Sequence, residues 1–438
     1  MWWLLGLSLA APLTLDEVLD AVDDRVPELA AAVAKEEQAR AKLLASRGAF
    51  DPKLKAKASQ YLDGYDRQLL DAGVAGQTLF GPAVAGGWRN GSGDFPTYDG
   101  RKTGSGGEAY LAVDVPLLDG LVWSEARTER QVSALRLDAT AASRDDKARL
   151  VRWKAAQSWA KWAASGAKLR IQEDLVAQTE RRQLALDREA EEGTRSRLSA
   201  LDNQRALAER RASLAEARQD VFAAAQGLSL FWRDATGAPR VPSLDELPAL
   251  AVAASEVPPD SARELAEARA DLRQLEAVVD AAGVSVRRQR NALLPEVAIG
   301  AEAVRPLDGE LPPELIAGVS VELATLLRKE RGSVQAAVAA QAQLDAARRA
   351  QRDAAVAEIE TARNAVVLAR ERLAHATEGA TVADEVLRLE QRRFELGGSN
   401  MFVLLGRETK RVDAQKKLVD AQLAVVLSEV GLAASEGR

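Results

Sequence analysis

The chain has 438 residues, 47% of them hydrophobic but only 4% aromatic, and a net charge of −6. Ala, Leu, Arg and Glu dominate, which is the profile of long packed helices rather than of a compact mixed core. Basic and acidic residues are interspersed, leaving no basic patch for nucleic acid, and the lack of cysteine excludes disulfides, thiolate metal sites, a cysteine nucleophile and an N-terminal cysteine lipid anchor.

The first eighteen residues read "MWWLLGLSLAAPLTLDEV". Residues 1–10 resemble a secretory signal peptide, with an apolar core from Trp2 to Leu9 and small residues for cleavage after Ala10 or Ala11. It is short and lacks a basic start. Export from the cytoplasm is the expectation. No later segment reaches eighteen apolar residues, so no transmembrane helix is expected.

A helix of about twenty residues is expected from Pro27, followed by a change of period. In "KLKAKASQY" Lys53, Lys55 and Lys57 alternate with Leu54, Ala56 and Ala58, which predicts a strand over about 52–62. Residues 66–106 are glycine-rich and read as an external loop, in which "VAGQTLFGPAVAGGW" extends the strands as a hairpin above a membrane. In "AYLAVDVPLL" Leu111, Val113, Val115 and Leu117 oppose Tyr110, Ala112 and Asp114, a second strand over about 109–118. Leu121 to Glu192 holds no proline and one glycine, Gly166, and as one helix would run about 108 Å. Beyond Gly193, Leu207, Leu214, Val221 and Leu228 recur every seven residues, the seam of a left-handed coiled coil.

A proline-rich linker over 235–260, with Pro239, Pro242, Pro248, Pro258 and Pro259, separates a first repeat (11–234) from a second (261–438). "PELAAAVAKEEQARAKLLASRGAFDP" from Pro27 aligns without a gap with "ADLRQLEAVVDAAGVSVRRQRNALLP" from Ala270, placing Arg47 on Arg290 and Pro52 on Pro295. The second copy repeats the order. "LPEVAIGAEAV" gives a strand over about 295–304, "IAGVSVEL" one over about 315–325, and a long helix runs to Gly397-Gly398. Leu404, Leu418, Val425 and Leu432 then continue the seam, with a step missing at Arg411. Gly193 and Gly397 occupy equivalent places, where a glycine past a helix end takes the left-handed conformation that closes a hairpin.

Four strands, each with one apolar face, cannot close a barrel alone, and open edges are not tolerated in lipid. If they span a membrane, several chains must pool them, and three would supply twelve. The fold class expected is α+β: long helical hairpins joined to strands whose apolar faces either stack as a small soluble sandwich or face lipid as part of a pooled barrel.

Other residues carry less. His375 is the only histidine and reads as a helix-surface residue, so neither a metal site nor a nucleophile-and-base set is expected, and no cofactor or enzyme activity. Trp153, Trp159 and Trp162 read as packing between helices, with a tunnel-wall role as the alternative.

In this order and in duplicate, "LTLDEVLDAVDDRVPEL", "VDVPLLDG", "RNALLPEVAIG" and "RRFELGG" resemble the TolC family of outer membrane efflux proteins across nearly the whole mature chain. The resemblance implies a homotrimeric, twelve-stranded barrel in outer-membrane lipid and a helical tunnel through the periplasm. Such ducts receive cargo from an inner-membrane RND or ABC-type pump through a periplasmic adaptor (membrane fusion) protein. It also implies adaptor docking at the tips: Gly193, Thr194 and Arg195, with Gly397, Gly398, Ser399 and Asn400. The family's best-known gate has a tyrosine, an arginine and two aspartates where this chain has Phe394, Ser399, Val403 and Gly406, and a first-repeat aspartate where it has Ser199. Glu191, Glu192, Arg197 and Phe394 are the gate residues this chain offers instead, with a solvated turn as the plainer reading of the charged ones. The rival reading is a periplasmic coiled-coil adaptor or scaffold with a soluble β domain.

Overall fold

The computed structural model describes residues 11–62, 66–96, 100–250, 261–309 and 312–438. The signal peptide expected over 1–10 lies outside the described residues, as does the end of the linker with Pro258 and Pro259. The chain divides into two compact units. One comprises Met1–Val33, Arg144–Ala270 and Gln351–Arg438; the other comprises Ala34–Ser143 and Asp271–Ala350.

The first unit is helical, and the second also contains helix. Helix α1 (Leu15–Arg25) opens with a capping box, in which the Thr14 hydroxyl accepts from the Glu17 amide and the Glu17 carboxylate accepts from the Thr14 amide. Pro27 starts α2 (Pro27–Arg47) at its first position, where the amide has no intrahelical acceptor to lose. The long pairs follow: α3 (Glu125–Glu191) with α4 (Arg197–Ser229), and α7 (Arg328–Glu395) with α8 (Met401–Ser435). Two shorter helices, α5 (Ala262–Ala268) and α6 (Ala270–Asn291), open the second repeat.

The seven-residue seam of α4 is buried at all four expected positions, where Leu207, Leu214, Val221 and Leu228 join Val18, Val22, Val151 and Trp162 in one core. In α8 the seam moves over by one residue in its middle: Val412 and Val419 are buried in place of Arg411 and Leu418, between buried Leu404 and Val425. Trp162 is fully buried and Trp159 donates its indole N–H to the Leu13 carbonyl at 2.9 Å, so both are packing residues. Gly166 has a local cause. A side chain there would strike Leu247 of the linker, whose methyl group lies 2.4 Å from where a Cβ would stand.

Against expectation, α8 is long and apolar enough to cross a membrane by length and composition. Its Ala, Val and Leu content reflects a returning coiled-coil helix. Val412, Val419, Ala421, Val425 and Leu432 are buried in protein, and it carries a buried Glu408.

The second unit holds the sheet, and here the expected strand count is corrected. Among the described residues there are six strands in one antiparallel sheet in sequence order: β1 (Lys53–Leu62), β2 (Asp66–Gln77), β3 (Ala83–Gly93), β4 (Glu108–Pro116), β5 (Glu296–Pro306) and β6 (Glu314–Glu322). The glycine-rich stretch read as an external loop supplies β2 and β3. β2 pairs with β1 from Asp66 to Ala75 and with β3 from Arg67 to Gln77, and β3 also pairs with β4. The turn between them is tied to the start of α3, since Arg127 donates to the carbonyls of Leu79 and, at 2.6 Å, Leu121. The hairpin thus reaches the helical end of the sheet rather than standing above it.

The two repeats meet where helices become strands. Asp119 in "VDVPLLDG" accepts from Arg288 at 2.7 Å and from Asn291 in "RNALLPEVAIG", and Leu117 donates to the Val297 carbonyl at 2.7 Å.

Candidate functional site

Both glycine turns are built alike. In the first, the Gly193 amide donates to the Ala190 carbonyl and the Thr194 amide to the Glu189 carbonyl, with φ of 72° at Gly193. In the second, Gly397 donates to Phe394 and Gly398 to Arg393, with φ of 77° at Gly397. This paired bonding satisfies carbonyls the helix leaves open, and it demands a left-handed residue at one position only. Gly398 therefore has no such requirement. The return helices start on side-chain caps, Ser196 for α4 and Asn400 for α8.

The two turns touch. The Arg195 guanidinium lies 4.4 Å from the Phe394 ring centre while pairing with Glu189 at 2.7 Å, and Leu186, Ala200, Leu387, Phe394, Met401 and Leu404 form a small core beneath. The Thr194 hydroxyl donates to the Glu189 carbonyl, and Ser399 donates to Glu390. Of the proposed gate residues, only Phe394 is engaged. Glu191, Glu192 and Arg197 are exposed on the turn with no ion pair among the described residues.

A charged cluster that sequence reasoning missed lies behind the turns. Glu408 of α8 is 1% exposed and accepts from Arg182 of α3 at 2.5 and 2.7 Å and from Arg210 of α4 at 2.7 Å. Arg182 also donates to Asn203 at 2.8 Å, Asn203 donates to the Thr179 carbonyl and to Gln183, and Arg210 reaches the Thr179 hydroxyl. Burial pushes the Glu408 carboxyl up, but hydrogen bonds and charge from Arg182 and Arg210 outweigh it and hold it below the ordinary carboxylate range. The available signal was an acid on an apolar stripe, four residues from both Leu404 and Val412.

In the sheet, directly opposed residues share a face. One row runs Leu54, Val74, Gly86, Leu111, Ala303, Leu315 across all six strands. The apolar face it belongs to also bears Val113, Ile299, Val319 and Val321, and exposes Leu54, Leu111, Leu315, Val319 and Val321 by more than half. An apolar surface of this extent faces something other than water. The opposite face is polar. Arg89 of β3 pairs with Glu108 of β4 and, at 2.8 Å, with Glu302 of β5, while Tyr110 lies across the hairpin and donates to Asp71 at 3.4 Å. Gly73 and Gly87 leave room for that tyrosine, since a Cβ at either would stand within about 3 Å of its oxygen and closer to backbone.

Residues 262–438 match the sequence model of the outer membrane efflux protein family. No curated protein matches the chain in sequence. Among solved structures, it is similar to a membrane protein from Pseudomonas aeruginosa (16% identity, TM-score 0.74, 97% of this chain and 92% of that one). It is also similar to the open state of the MtrE outer membrane channel of Neisseria gonorrhoeae (16%, 0.72, 97% and 88%). The CmeC outer membrane channel of Campylobacter jejuni is a third (14%, 0.70, 97% and 85%). The second repeat thus matches the outer membrane efflux protein family in sequence, and nearly the whole chain shares the fold of these channels.

Proposed function

We propose that the chain forms, as a homotrimer, the passive outer-membrane exit duct of a tripartite export system. Cargo would arrive from an inner-membrane pump of RND or ABC type through a periplasmic adaptor. The observation that carries this is the sheet: six paired strands with one continuous apolar face and two open outer edges. In lipid such edges must be closed by other chains. A soluble β domain in an adaptor or scaffold would bury the apolar face against protein, and among the described residues Leu54, Leu315, Val319 and Val321 remain uncovered.

Adaptor docking and gating are placed at the paired turns, where Gly193, Thr194, Arg195, Gly397, Gly398, Ser399 and Asn400 are presented by two matched hairpins. Phe394 with Arg195 holds the turns to each other, while Glu191, Glu192 and Arg197 offer unpaired charge to a partner.

Membrane fractionation with crosslinking tests the reading. The protein should require detergent for release, and crosslinked species should stop at three chains. Recovery as a soluble monomer overturns it.

A further inference from the structure

The two outer edges of the sheet differ in charge. On the polar face, β1 carries Lys53, Lys55 and Lys57, and β6 carries Glu314 and Glu322. None has an ion-pair partner among the described residues, and Glu322 lies directly opposite Glu296, a like-charge pair that destabilises the edge. We propose that copies of this chain join by pairing β6 of one with β1 of the next, Lys53 meeting Glu322 on the lumen side, so that a trimer closes a barrel of eighteen strands. This rests on the trimeric outer-membrane reading above and sets the width of its exit.

Strand direction allows the seam, because β1 leaves the helical end of the sheet and β6 returns to it. Stagger supports it quantitatively. Following opposed residues from Lys53 leads through Ala75, Ala85, Ala112 and Glu302 to Ile316, six residues short of Glu322 at the helical end of β6. Joining the helical ends of β1 and β6 therefore adds a stagger of six for every six strands. Equal strand number and stagger is the relation found in eight-stranded barrels of shear eight, and it gives a tilt of about 36°. That falls within the range closed barrels adopt. The β2–β3 hairpin is part of the wall, since its faces continue the alternation of both neighbours. Diameter grows roughly linearly with strand number, so the exit is about 1.5-fold wider than four strands per chain would make it.

The chain has no cysteine, so introduced pairs report without background. Lys55→Cys with Ser320→Cys in one chain should oxidise in outer membranes to a crosslinked trimer, and Ala85→Cys with Ala112→Cys should close within one chain. Lys53→Glu should reduce the Lys55–Ser320 trimer band several-fold, and adding Glu322→Lys should restore it. A protein that inserts as a trimer yet links Lys55→Cys to none of Gly318→Cys, Ser320→Cys or Glu322→Cys overturns the seam. Linkage of β1 directly to β4 overturns the strand count. Failure to insert or to reach three chains would instead count against the duct itself.

Discussion

Glu408, on the helix after the second glycine turn, is gripped at both oxygens by Arg182, on the helix before the first. Arg182 stands eleven residues before Gly193, and Glu408 eleven after Gly397. The contact therefore ties hairpin to hairpin at a matched depth. Glu408→Gln should leave two buried guanidinium groups facing each other, a loss on the order of 3–5 kcal/mol for a broken buried pair. Glu180→Gln, which breaks an exposed pair with Arg211, should cost under about 1 kcal/mol. Urea midpoints or protease susceptibility of the two variants would show the contrast, and equal effects would place the cluster's energy elsewhere.

The same carboxylate sets a pH expectation. Its folded pKa is depressed, so its contribution is present above the unfolded value of about 4.3 and is lost as pH falls through the lower folded value. Between about pH 5 and 8 the cluster stays fully charged. Protease resistance of the hairpins should be flat across that range and fall only in stronger acid. A transition near neutrality would mean that another group controls the turns.

The sheet gives a two-sided prediction. Arginine at Ile299, Val113 or Val321, all on the apolar face, should cost about 2–4 kcal/mol near the bilayer midplane. Arginine at Ala298 or Ala112, on the polar face, should be tolerated; Ala112 sits opposite Glu302. Detergent-resistant trimer yield would separate the two sets, and equal damage would refute the assignment of faces.

Much of this fold was legible because side-chain period is a local signal. Strands β1, β4, β5 and β6 announce themselves by alternation, and the helical hairpins by their seam and matched glycines. Strands β2 and β3 do not. Gly73 and Gly87 stand where Tyr110 crosses them, so the alternation is replaced by missing side chains whose cause lies on another strand. The Glu408 cluster was hidden for a related reason. Its partners lie 226 and 198 residues away, and nothing local marks the acid as paired rather than solvated. At the turns, a glycine pair looks like one signal, yet only Gly397 has the conformation that needs glycine.

Packing along the returning helices should be sensitive to volume. Ala421 is 4% exposed, and Ala217 packs against the helical core. Leucine at Ala421 overfills a close-packed site and should cost about 1–3 kcal/mol. Trimer yield should fall before any change in export per trimer.

The turns themselves should behave oppositely. A Cβ at Gly193 or Gly397 would meet nothing within 4 Å, so a substitution there is penalised by backbone conformation alone. A β-branched residue in that left-handed conformation costs about 1–2 kcal/mol. That is too little to unfold hairpins with this much buried seam, but enough to reshape the turn. Gly398 has no left-handed conformation, and a Cβ there would sit 3.6 Å from the Arg393 carbonyl, an ordinary contact. Gly397→Val should therefore keep normal trimer yield while losing export and crosslinking to the adaptor. Gly398→Ala should keep all three. If Gly193→Val and Gly397→Val together still export and still capture the adaptor, the turns only reverse the chain and docking lies on the helix faces.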